Sequence, residues 1–260
     1  MTAEDPYAPI AALYDFSYDD FTEDIEFYEN VARAIDGPLL ELGVGSGRVA
    51  IPLAQAGYEV AGIDSSPSML DQARQSLNSL GKIEGSLELI EGDMTAFELE
   101  RRFGMVFVAA NTFQHLLTTE QQLACVRCAV KCLLPDGIFS MSVRSPASVT
   151  WENTDWSPML MHWSRLDEAT GDTIMKFCVE QPDPGRMVRR LTYIYDRVRP
   201  TGDLKRSVFT TELRYSTEAE IRLLLQHCGL RVTHVYGDYD LAPPGAGDNL
   251  VFVARAETAD

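Results

Sequence analysis

Apolar and amphipathic runs alternate along the first 145 residues of the chain. The apolar runs PLLELG, EVAGID, SLELIEGD, GMVFVAAN and IFSMSVRS are predicted to be buried strands. Around them, apolar side chains recur at helical spacing over residues 20–35, 46–56, 67–77 and 119–134, and the last helix is predicted to close at Pro135-Asp136-Gly137. Alternating strands and helices predict a doubly wound α/β fold whose mostly parallel sheet is covered on both faces.

The pattern changes between residues 150 and 215. Turn-forming segments there separate runs in which apolar and polar residues alternate, as at Met175, Phe177 and Val179. A period of two predicts half-buried antiparallel strands. After this region the first pattern resumes, and it predicts a helix over 217–228 followed by two apolar strands. We therefore expect N-terminal helices at 1–36, a core made of 37–149 and 216–260, and an antiparallel β insertion at 150–215.

Composition narrows the classes of function. The formal net charge of −17 opposes binding to nucleic acid, which needs a basic footprint. We find no apolar stretch near the length of about 18 residues that spans a membrane, and no basic region followed by an apolar run that would indicate a signal peptide. Five cysteines without a secretory context favour reduced thiols, so we expect a cytoplasmic protein.

The cysteines include a cluster with metal-like spacing. Cys125, Cys128 and Cys132 follow each other at i, i+3 and i+7 in the helix predicted over 119–134. Free cysteine behaves as a small apolar residue, so this spacing fits a core-facing stripe. We therefore predict no metal site.

The stretch LLELGVGSGRVAI carries a glycine loop directly after a predicted strand. Its spacing is Gly43-x-Gly45-x-Gly47, and Arg48 stands where a dinucleotide fingerprint has its third glycine. Glu41, two residues before the loop, is a poor neighbour for a pyrophosphate and a good one for an ammonium group. The loop therefore favours a ligand with a cationic amino-acid portion over NAD.

Polar side chains also end the next three predicted strands. Asp64 can accept hydrogen bonds from both hydroxyls of a ribose. Asp93 can bind the amino group of an adenine that lies against Met94, and Asn111 ends the fourth strand. Since ligands of parallel sheets bind at the carboxyl ends of strands, these residues are expected to share one crevice.

These motifs together resemble class I S-adenosylmethionine-dependent methyltransferases. The segments that carry the resemblance are ELGVGSGR, GIDSSPSML, EGDM and AANTFQHL. The resemblance implies a seven-stranded Rossmann-like sheet with an antiparallel last strand, and S-adenosyl-L-methionine as the cofactor. The implied cofactor-binding residues are Tyr14, Glu41, Gly43, Gly45, Gly47, Asp64, Ser65, Met69, Asp93, Met94 and Asn111.

The insertion, the segment YDFSY and the segment NTFQHL resemble bacterial small-molecule methyltransferases, notably amino-sugar N,N-dimethyltransferases. That resemblance implies an N-terminal lid whose Tyr14 lies near the transferred methyl group. Tyr7 and Tyr18 are neighbours that could take the same place. It also implies that the insertion covers the acceptor pocket and often helps to form a dimer, so a homodimer is expected.

Two catalytic candidates follow, Tyr14 and His115. His115 is either a general base or a histidine that bonds the backbone where the next helix starts. The candidates for substrate binding are Gln114, His115, Arg144, Trp151 and Trp163. Arg144 is equally explained by a salt bridge, and the tryptophans by a small core of the insertion.

The function expected is methyl transfer to a small-molecule acceptor, most simply an amine, in natural-product metabolism. One alternative is an O- or C-methyltransferase of a natural product, or an enzyme that methylates the α-amine of a peptide. An alternative of another class is a protein, such as a pericyclase-like enzyme, that binds the cofactor without transferring its methyl group.

Overall fold

The computed structural model describes residues 5–17, 21–151 and 157–256 of the chain. Strands in these segments form a seven-stranded sheet and a separate four-stranded sheet. The strands are β1 Leu39–Leu42, β2 Glu59–Asp64, β3 Ser86–Glu91, β4 Phe103–Val108, β5 Leu133–Arg144, β6 Leu160–Asp167, β7 Asp172–Asp183, β8 Val188–Val198, β9 Leu204–Arg214, β10 Leu230–Tyr236 and β11 Asn249–Ala256.

The larger sheet confirms the predicted class of fold. Its order is β10-β11-β5-β4-β1-β2-β3. Strand β1 runs parallel to both β2 and β4, whereas β11 is antiparallel to both of its neighbours. The strand order reverses at β1 and β4, so the carboxyl ends of these two strands flank the crevice in which ligands of such sheets bind.

Six α-helices lie in the described segments: α1 Ala11–Tyr14, α2 Glu23–Ala32, α3 Ala50–Gln55, α4 Pro67–Ser79, α5 Thr119–Cys132 and α6 Glu218–His227. Helix α4 starts as its sequence predicts, because Ser66 Oγ accepts a hydrogen bond from the Met69 N–H and Pro67 takes the first helical position. None of these helices has the length and apolar character needed to cross a membrane.

The predicted end of α5 was wrong by two residues. The helix ends at Cys132, and β5 begins at Leu133 because that residue pairs with Phe103 of β4. The turn-forming residues 135–137 therefore lie inside β5, where Asp136 has a positive φ of 61°. Cys125 and Cys132 are buried in the core beneath the sheet, and burial raises the pKa of the Cys125 thiol.

The four-stranded sheet is antiparallel throughout, in the order β6-β7-β8-β9. Its inner face packs on the N-terminal segment, with Ile10 and Leu13 against Tyr195 and Phe209. On β7 the buried face is the one with Ile174, Lys176 and Cys178, although the apolar alternation lies at the odd positions 175, 177 and 179. The odd positions are half-buried on the outer face of the sheet.

Candidate active site

The glycine loop follows β1 and lies at the point where the strand order reverses. Gly43, Gly45 and Gly47 all have positive φ, at 73°, 55° and 81°. The Gly43 and Val44 N–H groups donate to the Ile63 carbonyl at 2.7 and 2.9 Å, which fixes the loop to the end of β2. A Cβ on Gly43 would lie 2.2 Å from Thr112 Cγ2, so only glycine fits there.

Asp64 supports this loop from the end of β2. Its carboxylate accepts the Gly45 N–H at 2.8 Å through one oxygen and the Ser66 N–H at 2.8 Å through the other. Burial raises the pKa of this carboxyl, and the two backbone hydrogen bonds oppose that rise. The carboxylate is thus held in one orientation, with its remaining lone pairs available to a ligand.

A crevice of about 280 Å³ opens between this loop and the ends of β2, β3 and β4. The predicted cofactor-binding residues that line it are Tyr14, Gly43, Gly45, Asp64, Ser65, Met69, Asp93 and Met94. Gly47 and Asn111 do not line it, and Glu41 lies beneath the glycine loop behind the crevice wall. At Gly47 an added Cβ would meet Ile51 Cδ1 at 2.9 Å, so this glycine allows the loop to pack on helix α3.

Glu41 is buried under the loop, with 3% of its surface exposed. Its Oε2 atom has no hydrogen-bond partner among the described residues. Burial raises the pKa of this carboxyl well above its usual range, and the nearby Arg48 guanidinium lowers it in part. A buried acceptor without a partner is costly, and an ammonium group of a ligand would satisfy it. The crevice therefore fits the cofactor predicted from the sequence.

The N-terminal segment, residues 5–17, closes one side of the crevice. The Asp5 carboxylate accepts hydrogen bonds from Ser66 Oγ at 2.9 Å and from the Ser68 N–H at 3.0 Å, at the start of α4. Asp15 accepts a short hydrogen bond from Ser46 Oγ in the glycine loop. These contacts place Tyr7 and Tyr14 in the crevice wall, whereas Tyr18 lies outside the described residues.

His115 joins the three parts of the molecule. Its Nε2 atom lies 3.3 Å from the Tyr7 hydroxyl of the N-terminal segment, and its Nδ1 atom lies 3.1 Å from Thr211 Oγ1 of β9. Burial lowers the pKa of His115 to about 4, so the ring is neutral at neutral pH. A neutral ring has one N–H and one lone pair, and the two hydroxyl groups can pair with both.

Two further cavities continue from the crevice. A chamber of about 100 Å³ shares Tyr7, Tyr14 and His115 with the crevice. An outer cavity of about 780 Å³, between the core and the insertion, shares Asn111 and Lys176 with the chamber. The three spaces are neighbours that share these lining residues, and His115 lines both the first and the second.

Three of the five residues predicted to bind substrate line the outer cavity, whereas His115 lines the crevice and the chamber. The three are Gln114, Arg144 and Trp163. Gln114 is buried and bridges two elements, since it donates to the Arg214 carbonyl at 3.1 Å and accepts the Arg144 N–H at 3.0 Å. The Arg144 side chain also pairs with Asp248 at 3.3 Å.

Trp151 packs edge-on against Tyr215 with ring centroids 5.2 Å apart. Tyr215 itself lines the outer cavity, so Trp151 supports the wall from behind.

Two residues of this region were not predicted from the sequence, Thr211 and Lys176. Lys176 is 8% exposed, and its Nζ lies 4.4 Å from the centroid of the Tyr193 ring. Burial lowers the pKa of Lys176 to about 8. The available signal was a lysine at an alternate position of a predicted half-buried strand, because lysine is rarely buried unless it is paired.

Comparison with known proteins finds a family match over part of the chain. The methyltransferase domain family matches residues 39–137, which run from β1 into β5. The cypemycin N-terminal methyltransferase of a Streptomyces species is 26% identical over 80% of this chain and 78% of its own. The putative methyltransferase YqeM of Bacillus subtilis is 25% identical over 96% of both chains.

Solved structures of similar shape cover the insertion as well. The methyltransferase CcbJ from Streptomyces caelestis has a TM-score of 0.79 and 27% identity over 98% of both chains. DesVI of Streptomyces venezuelae has a TM-score of 0.75 and 20% identity, over 95% of this chain and 98% of its own. The sugar N-methyltransferase KedS8 has a TM-score of 0.74 and 19% identity, over 95% of this chain and 93% of its own.

Proposed function

Because the chain is a class I S-adenosylmethionine-dependent methyltransferase, we propose that it transfers the methyl group to an amine nitrogen of a small molecule in natural-product metabolism. The observation that supports this most is the set of neighbouring spaces, the crevice, the chamber and the outer cavity, with His115 lining the first two. The crevice accounts for the cofactor, and the outer cavity has the size of pockets that hold small molecules.

For the cofactor, we propose that Gly43 and Gly45 contact the methionine portion and that Glu41 receives its ammonium group. Asp64 takes the ribose hydroxyls, with Ser65 and Met69 beside them. The buried Oε2 of Glu41 and the oriented carboxylate of Asp64 support these roles. Asp93 and Met94, at the far end of the same crevice, suit the adenine.

The bound cofactor supplies a methyl group on a positively charged sulfur, which is an excellent leaving group. The chain therefore has to align the acceptor nitrogen with the methyl group and keep water away. A neutral amine would need no base for the transfer: the new N–C bond would replace the C–S bond, the sulfur would leave as a neutral thioether, and the charge and the proton would stay on the methylated nitrogen. If His115 donates Nδ1–H to Thr211, its Nε2 accepts from the Tyr7 hydroxyl, and the Tyr7 oxygen can accept an N–H of the amine. With a pKa of about 4, His115 orients Tyr7 and does not hold the proton.

Names of similar proteins favour nitrogen as the methyl acceptor. KedS8 is named a sugar N-methyltransferase, and the cypemycin relative an N-terminal methyltransferase. The second of these supports one further candidate, the α-amine of a peptide, whose bulk the outer cavity of about 780 Å³ could receive.

The test is incubation of the protein with labelled S-adenosylmethionine and a panel of amines, alcohols and phenols. We expect label on nitrogen and release of S-adenosylhomocysteine. Label on oxygen or carbon alone would contradict N-methylation. Conversion of an acceptor without gain of label would instead favour a protein that binds the cofactor and does not transfer its methyl group.

We also propose that the protein forms the homodimer expected from the resemblance, through the outer face of the insertion. Met161, Phe177, Ile194 and Val208 pair in register across the outer face of the insertion. Met161 is 60% and Val208 49% exposed, which is typical of an interaction surface. Light scattering should give twice the mass of one chain, and Ile194→Glu should halve it. A single-chain mass for the unmodified protein at high concentration would rule the dimer out.

A further inference from the structure

Another large cavity lies away from the crevice, between helix α2 and the strands β10 and β11. Its volume is about 600 Å³, which is within the usual range for pockets that hold small molecules. Among the described residues, none that lines it also lines the crevice, the chamber or the outer cavity. We call this space the back cavity, and the proposed methyl transfer does not use it.

The floor of the back cavity is apolar and well packed. Phe27, Tyr239 and Val253 line it and are 5%, 8% and 9% exposed. The Phe27 ring meets the Tyr239 ring edge-on with centroids 5.9 Å apart, and it meets the Tyr236 ring in the same way at 6.2 Å. Because these side chains belong to the core of the larger sheet, the floor keeps its shape without a ligand. A preformed apolar floor favours a ligand with an apolar body.

The rim of the back cavity is negatively charged. Glu23 and Glu26 of α2 line it, as does Asp240, which follows β10. These three carboxylates form no ion pair with a basic side chain in the part of the chain that the structure describes. Arg255 also lines the cavity, and its guanidinium donates to the Asp136 carbonyl at 2.6 Å. The rim therefore favours a cation over an anion.

The charge of the rim is a local feature and does not simply follow from the acidic composition of the chain. The outer cavity has the opposite sign. Within the described segments, Glu180 is the one acid in its lining, and the basic residues there are Arg144, His162, Lys176 and Arg189. The two cavities therefore differ in the charge of the ligand that each would receive.

Leu241 lies at the edge of the back cavity in an unusual conformation. Its φ is 66°, and the residue is 56% exposed. A left-handed backbone is rare for leucine, and such strain is concentrated at functional sites. The Leu241 N–H donates to the Asp238 carbonyl at 3.3 Å, and the Gly237 N–H donates to the Ala242 carbonyl at 2.7 Å, so the loop holds Leu241 in place. A ligand on the floor would remove this apolar side chain from water.

We propose that the back cavity is a second ligand site and that it binds a hydrophobic amine. The apolar body of the ligand lies on the aromatic floor and beneath Leu241. Its ammonium group lies among the carboxylates of the rim, where the faces of nearby aromatic rings also attract a cation. The site is independent of the acceptor, whose space is the outer cavity.

A ligand in the back cavity acts on the crevice through α2. That helix also carries Asp24, which is fully buried. Both carboxylate oxygens of Asp24 accept hydrogen bonds from the Arg48 guanidinium, one of them at 3.0 Å and the other a short one. Arg48 directly follows Gly47 of the glycine loop. A ligand that holds α2 in place therefore also holds the loop, and the affinity for S-adenosylhomocysteine should rise when the back cavity is occupied.

The class of ligand is tested with tryptamine and indole-3-propionate, which share a ring system and carry opposite charges. Each is titrated by calorimetry into the protein saturated with S-adenosylhomocysteine. We expect tryptamine to bind more tightly by at least about tenfold, a difference of about 1.4 kcal/mol. Equal affinities for the two compounds, or no binding of tryptamine up to about 10 mM, would overturn the proposal.

The location of the site is tested by a pair of charge reversals on α2. Glu26→Lys changes the rim, whereas Glu29→Lys makes the same change on a residue of the same helix that does not line the cavity. We expect the Kd for tryptamine to rise about tenfold in Glu26→Lys and less than about twofold in Glu29→Lys at physiological salt. Equal losses in the two variants would place tryptamine elsewhere and overturn the site.

The coupling is tested by the Kd for S-adenosylhomocysteine with and without tryptamine. We expect tryptamine to lower this Kd by about fivefold in the unmodified protein and by less in Glu26→Lys at the same tryptamine concentration. An unchanged Kd in the unmodified protein would overturn the action through α2. None of these measurements includes an acceptor, so their outcome is separate from that of the proposed N-methylation.

Discussion

The crevice and the outer cavity are built in different ways, although they lie side by side. The crevice is made by short segments that each follow one strand of the larger sheet, so Gly43, Gly45 and Asp64 reach their places through local structure. The outer cavity is made by side chains distant in sequence, such as Arg144 on β5 and Lys176 on β7. A site of the first kind depends on backbone shape, and one of the second kind depends on how two sheets pack.

The largest effect is expected where backbone shape is most constrained. Gly43→Ala would place a Cβ 2.2 Å from Thr112 Cγ2 at a φ of 73°. The loop must move, so we expect the affinity for S-adenosylhomocysteine to fall by about a hundredfold or more, which is about 3 kcal/mol. Calorimetric titration measures this.

Gly81→Ala is the matched control, because Gly81 has nearly the same φ of 72° and an added Cβ meets nothing within 4 Å. We expect it to cost about 1 kcal/mol of stability and no affinity for the cofactor. Equal losses of affinity in the two variants would mean that the crevice is not set by the shape of the loop.

A second prediction concerns the effect of acid on stability through His115, which lies where the core, the N-terminal segment and the insertion meet. The pKa of His115 is lowered from 6.5 to about 4 in the folded protein. The unfolded chain therefore binds the proton first as the pH falls from about 6.5 to about 4, and folding loses up to about 3 kcal/mol over that window. Urea unfolding at several pH values should show a smaller loss in His115→Asn than in the unmodified protein.

His234→Asn is the control for this measurement. His234 is exposed on β10, away from the site, so its replacement should keep the acid sensitivity of the unmodified protein. If His115→Asn and His234→Asn lost stability equally between pH 6.5 and pH 4, the enclosed environment of His115 would be disproved.

The smallest effect is expected from a single hydroxyl of the insertion. Thr211→Val removes the group that lies 3.1 Å from His115 Nδ1, and the ring loses one of its two orienting contacts. We expect turnover to fall by about tenfold, with the affinity for S-adenosylhomocysteine unchanged.

Thr210→Val changes the neighbouring residue, whose hydroxyl faces Thr192 on the other side of the sheet at 3.2 Å. It should leave turnover unchanged. If Thr211→Val and Thr210→Val behaved alike, the insertion would contribute to the site by its shape alone.

The residues that line the crevice were predicted from the sequence more completely than those that line the outer cavity. The crevice is formed by short segments that directly follow strands, and such segments can be located in a sequence. A residue that directly follows a parallel strand must lie at the ligand-binding edge of the sheet, so Asp64, Asp93 and Met94 could be placed from their positions alone. Asn111 also follows a strand, yet its left-handed backbone turns it toward the chamber.

In the insertion, periodicity predicts half-buried antiparallel strands correctly and does not tell which face of β7 packs on the rest of the molecule. Met175, Phe177 and Val179 alternate as a core-facing set would, and they lie on the outer face. A thin sheet has two faces of nearly equal apolar character, and the choice between them is made by the N-terminal segment that packs on one side. Neither Lys176 nor Thr211 could therefore be assigned to the site from alternation.

The N-terminal segment links the exchange of cofactor to the exchange of acceptor. Tyr7 and Tyr14 line both the crevice and the chamber, and Asp5 and Asp15 bind the segment to the core. A movement that opened the crevice by lifting this segment would open the chamber at the same time. If the proposed N-methylation is repeated on one nitrogen, such a movement would release the partly methylated acceptor between transfers, and that intermediate would be detectable in solution.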